Sequence, residues 1–162
     1  MRTLTSVACL ALLLFTSCGT GPKATCDAHF KPYPDLVSNR VRTPHNELYV
    51  DGMALYAKQD YAGAIPLLEE FTKRPNTDKS VHLYLACCYL ATGRPYDAEL
   101  EIDRLEQGNL AQFIDEADWY TVLCWLCSGQ EDRARNGARR IAQGRPHTYK
   151  AQAAALLKAL GD

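Results

Sequence analysis

The chain has 162 residues, 47% of them apolar and 23% charged, with a formal net charge of −1. That mix excludes an intrinsically disordered chain and suits one ordinary domain. The near-zero charge balance, with no Lys/Arg run, excludes a generic nucleic-acid surface.

The first predicted element is a short positive start, Met1-Arg2-Thr3, followed by a mostly apolar stretch from Leu4 to Phe15. The stretch is too short for a spanning helix, which needs about 20 apolar residues. It has the length of the apolar region of a signal peptide. Small residues then lead into a cysteine: Phe15-Thr16-Ser17-Cys18-Gly19. This resembles the lipobox of bacterial lipoproteins, with Phe15 where Leu is usual. The resemblance implies that residues 1–17 are removed and that Cys18 is lipidated. The mature chain would then sit on a membrane face through its acyl chains, because two or more chains anchor stably. An ordinary cleaved signal peptide with an incidental Cys18 is the alternative. Gly-Thr-Gly comes after Cys18, without the Asp that marks inner-membrane retention in many lipoproteins. The expected address is therefore the bacterial cell envelope, at the outer membrane.

Residues 18–45 read as a tether punctuated by Gly19, Gly21, Pro22, Pro32, Pro34 and Pro44, each of which interrupts regular structure. Gly19 to Ala28 reads as a flexible spacer. Phe30-Lys31-Pro32-Tyr33-Pro34-Asp35-Leu36-Val37 carries two aromatics and two aliphatics, which a solvated linker does not need. It is expected to dock, as an extended strap, on the repeat region that follows.

Residues 46–146 repeat themselves. Helical apolar patterning, a short polar break and an Ala opening a second helix recur three times, phased on Ala64, Ala98 and Ala134. The spacings are 34 and 36 residues, within the range that marks a solenoid. Gly93 and Gly129 end the first helix of the second and third copies, as left-handed caps do, whereas the first copy has Gln59-Asp60. Gly52 and Ala86 are small where paired helices cross; Val122 is bulkier at the matching position. These features resemble the tetratricopeptide repeat, a helix–turn–helix unit. The expected fold is all-α: a solenoid of three helix–turn–helix repeats, with residues 147–162 forming a helix that caps the terminal apolar face.

In the resembled family, first helices line a concave groove that holds peptides or proteins. Carried over, the partner-binding groove comprises Tyr49, Met53, Tyr56, Leu83, Cys87, Leu90, Trp119 and Leu123, with Leu126 at its end. The Lys/Asn/Arg set with which some family members clamp a C-terminal carboxylate is missing from these positions. The competing expectation is a groove filled by the chain's own strap, with Tyr33 and Leu36 covering Tyr56 or Trp119.

Cys124-Trp125-Leu126-Cys127 has a redox or metal spacing, and Cys87-Cys88 stands on the matching helix one repeat earlier. Both pairs fall inside helices, where small apolar filling is the main expectation. A disulfide between the two helices, or a metal held by Cys87, Cys88, Cys124 and Cys127, is the alternative. No phosphate-cradling loop, nucleophile elbow or Ser/His/Asp constellation stands out. The chain therefore reads as a non-enzymatic protein-interaction module without a cofactor. It would meet a protein or peptide partner and a membrane, through its lipid, but no nucleic acid. A cysteine-based metal or redox protein, or a structural spacer with a self-filled groove, are the other readings.

Overall fold

The computed structural model describes residues 22–108 and 111–162; the signal-like segment and Cys18 lie outside the described residues. Within them every long element is a helix: α1 (Pro22–His29), α2 (Glu47–Ala57), α3 (Tyr61–Thr72), α4 (Val81–Ala91), α5 (Pro95–Gln107), α6 (Ile114–Cys127), α7 (Glu131–Gln143) and α8 (Lys150–Ala159). A single 3-10 turn, Ala111–Phe113, leads into α6. Successive helices pack antiparallel in pairs, α2 with α3, α4 with α5 and α6 with α7, and α8 covers α7. The chain is an all-helical repeat solenoid with a terminal cap. No helix among the described residues is long and apolar enough to cross a membrane.

The repeat phase has a mechanical basis. Ala64, Ala98 and Ala134 are each fully buried, because only a methyl group fits where the second helix of each pair leans on the first. The turns are built alike: Asp60, Arg94 and Gln130 each donate their backbone N–H to the carbonyl five residues back, on Leu55, Tyr89 and Trp125. Closing that ring needs one left-handed residue. Gly93 (φ 74°) and Gly129 (φ 79°) supply it, and in the first copy Gln59 adopts it at φ 62°.

The bulk at Val122 is matched from the other side. In the first pair Gly52 lies against Leu68; a Cβ on Gly52 would meet Leu68 Cδ2 at 2.7 Å. In the third pair the small residue has changed helix. A Cβ on Gly137 would meet Val122 Cγ2 at 2.6 Å and Trp125 Cζ3 at 3.0 Å. The large and small partners are thus exchanged between the two helices, as close packing requires.

One polar tie holds a pair together and another joins neighbouring pairs. His82 and Glu101, both buried, share a hydrogen bond of 2.7 Å between Nδ1 and Oε2, joining α4 to α5, and Arg104 also binds Glu101. His82 is accordingly a hydrogen-bonded core histidine. Trp125 Nε1 donates to Glu99 Oε1 at 2.7 Å, with Arg133 over the ring at 4.4 Å.

One expectation is corrected. Residues 22–28, within the stretch read as flexible spacer, join His29 in α1, which packs on α6. Pro22 sits at the first helical position, where its missing N–H costs nothing and its fixed φ suits the helix.

Candidate partner-binding groove

Helices α2, α4 and α6, the first of each pair, together line the groove in which residues 30–37 lie. Tyr84 and Tyr120 stand 36 residues apart, and with Tyr56 they aim their hydroxyls into it. Each hydroxyl meets main chain of the segment between α1 and α2. Tyr120 donates to the Lys31 carbonyl at 2.8 Å, Tyr56 to the Tyr33 carbonyl at 2.7 Å and Tyr84 to the Pro34 carbonyl at 3.2 Å. In return Leu36 N–H donates to the Tyr84 hydroxyl at 3.3 Å, and Tyr33 N–H to Cys87 Sγ at 3.4 Å. Residues 30–37 therefore lie along the groove as an extended strap.

The strap's side chains divide by face. The Tyr33 ring packs edge-on against Tyr84 and Phe113, at 5.8 and 6.4 Å between centroids. Val37 is 1% exposed, whereas Leu36 is 63% exposed. Asp35 closes a turn by accepting from the backbone N–H groups of Val37 (2.9 Å) and Ser38 (3.0 Å) and from the Ser38 hydroxyl. These bonds hold the Asp35 carboxyl below its ordinary range against the opposing effect of burial.

All eight sequence-derived groove positions are buried: Tyr49, Met53, Tyr56, Leu83, Cys87, Leu90, Trp119 and Leu123. Tyr56 and Cys87 touch the strap directly. Tyr49 stacks on Phe71 at 4.8 Å and hydrogen-bonds Ser80 at 2.7 Å. Of the two residues expected under Tyr33 and Leu36, Tyr56 meets the Tyr33 carbonyl, whereas Trp119 stacks on Tyr149 at 5.7 Å beside the cap helix. Tyr84 and Tyr120, absent from the sequence-derived set, carry the recognition of main chain. Their signal was available: identical residues at the repeat spacing, with a hydroxyl that a buried tyrosine must satisfy.

The cysteines are the second correction. Cys127 is bonded to Cys26 of α1, across 101 residues, with Cα atoms 5.0 Å apart. This withdraws Cys127 from the four-sulfur set with Cys87, Cys88 and Cys124, and places the disulfide between α1 and α6, not between α4 and α6. Cys87, Cys88 and Cys124 are buried free thiols. Burial pushes the Cys87 thiol up to about 11 and raises Cys88 and Cys124 as well, so all three stay protonated and unreactive. Among the described residues no cluster of three or more His, Cys, Asp or Glu has metal-binding geometry.

A cleft of about 370 Å³ opens between α6 and α7, over Val122, Gly137 and Ile141. On its rim Arg145 bonds Asp115 at 2.7 Å and Asp118 at 3.3 Å. Asp115 also accepts from the Thr148 N–H at 2.7 Å and its hydroxyl at 2.9 Å. The cluster fastens the loop before α8 onto the start of α6.

No family model matches the chain, and no curated protein or solved structure matches it.

Proposed function

We propose that this protein is a non-enzymatic interaction module of tetratricopeptide type, carried at the bacterial cell envelope on a lipidated Cys18, whose concave groove receives an extended polypeptide segment. One observation carries the groove reading: tyrosine hydroxyls on α2, α4 and α6 all donate to main-chain carbonyls of the segment lying there. Donors aimed at backbone oxygens recognise any chain extended in the right register, with pockets for alternate side chains adding preference. The envelope address rests on the residue order from Met1 to Cys18.

A second reading has its own support. A strap that is both hydrogen-bonded and disulfide-tied fits a structural spacer whose groove serves only to hold its own chain. The two separate experimentally. A photo-crosslinking residue placed at Tyr33 in cells yields adducts to other proteins if the strap yields the groove to a partner. It yields only intrachain adducts if the protein is a spacer. In the same cells Cys18→Ser should move the protein out of the membrane fraction. Retention there would overturn the lipid anchor.

A further inference from the structure

The strap is fastened at its two ends by different chemistry. At the α2 end it is held non-covalently, by buried Val37 and the turn that Asp35 closes. At the α1 end it is held by the Cys26–Cys127 bond. Between these ends Lys31, Pro34 and Leu36 are exposed. The grip there comes from tyrosine hydroxyls on backbone and from the Tyr33 ring, and nothing in that grip is particular to this segment except its extended proline-bearing form.

Resting on the groove-binding reading above, we infer that the Cys26–Cys127 disulfide is the lock on the groove: its reduction frees the strap, and an extended Pro-aromatic-Pro segment of a partner chain takes the same main-chain bonds. The reductant is a dithiol of the thiol–disulfide exchange class. One of its thiolates attacks Sγ of Cys127, the less buried residue of the pair, and Cys26 leaves as a thiolate that takes up a proton. The second thiol of the reductant then displaces Cys127 from the mixed disulfide. Two electrons pass to the protein, which ends with two thiols, and the reductant ends as a disulfide. Cys87, Cys88 and Cys124 do not substitute for it, since all three are buried.

The lock works through concentration. With the bond intact, residues 27–46 are pinned at both ends and the strap cannot leave the groove's vicinity. Cutting it leaves one tether, and a linked segment's effective concentration falls steeply when a second attachment is lost. An external segment then competes on far better terms.

Cys87 reports the event, because its sulfur lies under Tyr33. Cys88 and Cys124 are equally buried without any strap hydrogen bond and serve as internal controls. The full processed chain, its Cys26→Ser variant and its Cys127→Ser variant are alkylated with iodoacetamide and followed cysteine by cysteine by mass spectrometry. In both variants Cys87 should react faster than in the oxidised protein by roughly 10²-fold, with Cys88 and Cys124 unchanged. A synthetic peptide of residues 28–38, in excess, should return Cys87 to the slow rate. An unchanged Cys87 rate, or equal acceleration of all three thiols, overturns the lock. Selective opening of Cys87 that the peptide fails to reverse leaves the lock standing and overturns the groove-binding reading.

Discussion

Gly137→Ala tests whether the exchange of large and small partners in the third repeat is a real packing constraint. The added methyl would sit 2.6 Å from Val122 Cγ2 and 3.0 Å from Trp125 Cζ3. Val122 is 1% exposed, and Trp125 is held by its bond to Glu99 and by Arg133, so neither yields freely. Overpacking of this kind costs about 1–3 kcal/mol. Replacing Gly by Ala inside a helix returns about 1 kcal/mol. The expected net loss is therefore about 1 kcal/mol, where an unconstrained site would show a gain of similar size. Val122→Ala alone should cost about 2 kcal/mol from lost burial and the space left behind. Combined, the two changes recreate the alanine that the second repeat has at Ala86, and the new methyl enters the vacated volume. The double variant should lose about 1 kcal/mol less than the sum of the singles, a coupling normal for residues in contact. Urea unfolding followed by far-UV circular dichroism, with the disulfide intact, measures all four corners. Additivity within about 0.3–0.5 kcal/mol, or a stabilised Gly137→Ala, would refute the reasoning.

The geometry sets three further outcomes. Cys127→Ser should lower unfolding stability by about 4–5 kcal/mol on the chain-entropy account, given the 101-residue separation that the bond closes; a loss under ~1 kcal/mol in denaturant titration would contradict it. Tyr120→Phe removes the donor on the Lys31 carbonyl and should cost about 1–2 kcal/mol in the same titration, with faster hydrogen exchange at the Tyr33 amide. Asp115 has its carboxyl lowered to about 2, first by the Thr148 backbone N–H, with the Thr148 hydroxyl, Arg145 and His147 adding to it. A depressed carboxyl gives stability that is present above its ordinary value near 3.8 and lost as pH falls toward 2. Asp115→Asn should flatten the acid limb of the stability–pH curve between those values, and an unchanged limb would count against the assigned bonds.

The repeat was legible because its determinants are local: an alanine at each close crossing and a turn residue with positive φ. Even the irregular first turn is resolved by the same geometry, with Gln59 taking the backbone form that glycine takes in the other copies. The strap was legible as a docking candidate from its aromatics, but its register was not, since main-chain hydrogen bonds leave no trace in residue type. A subtler sign was present in α4, where every residue from Val81 to Leu90 is buried. A helix apolar all round must be covered on all sides, and flanking helices cover only part of it. The Cys26–Cys127 pairing could not be read at all. It joins a helix outside the repeat to one inside it, across 101 residues, and spacing rules address only neighbours such as Cys124 and Cys127. α1 was missed because it is only eight residues long and carries no large apolar side chain; it packs on α6 and is joined to it by the disulfide.

The same bond also decides how the molecule bears load. Tension applied at the N-terminus enters α1 and crosses at Cys26 directly into the C-terminal end of α6. The strap, α2, α3, α4 and α5 lie on the bypassed arc between Cys26 and Cys127 and stay slack while the covalent shunt is closed. Opening the shunt would reroute the whole force through the strap, peeling its carbonyls from the tyrosines one after another. A pulling experiment on the oxidised and reduced chains should therefore record extension beginning at markedly lower force in the reduced one.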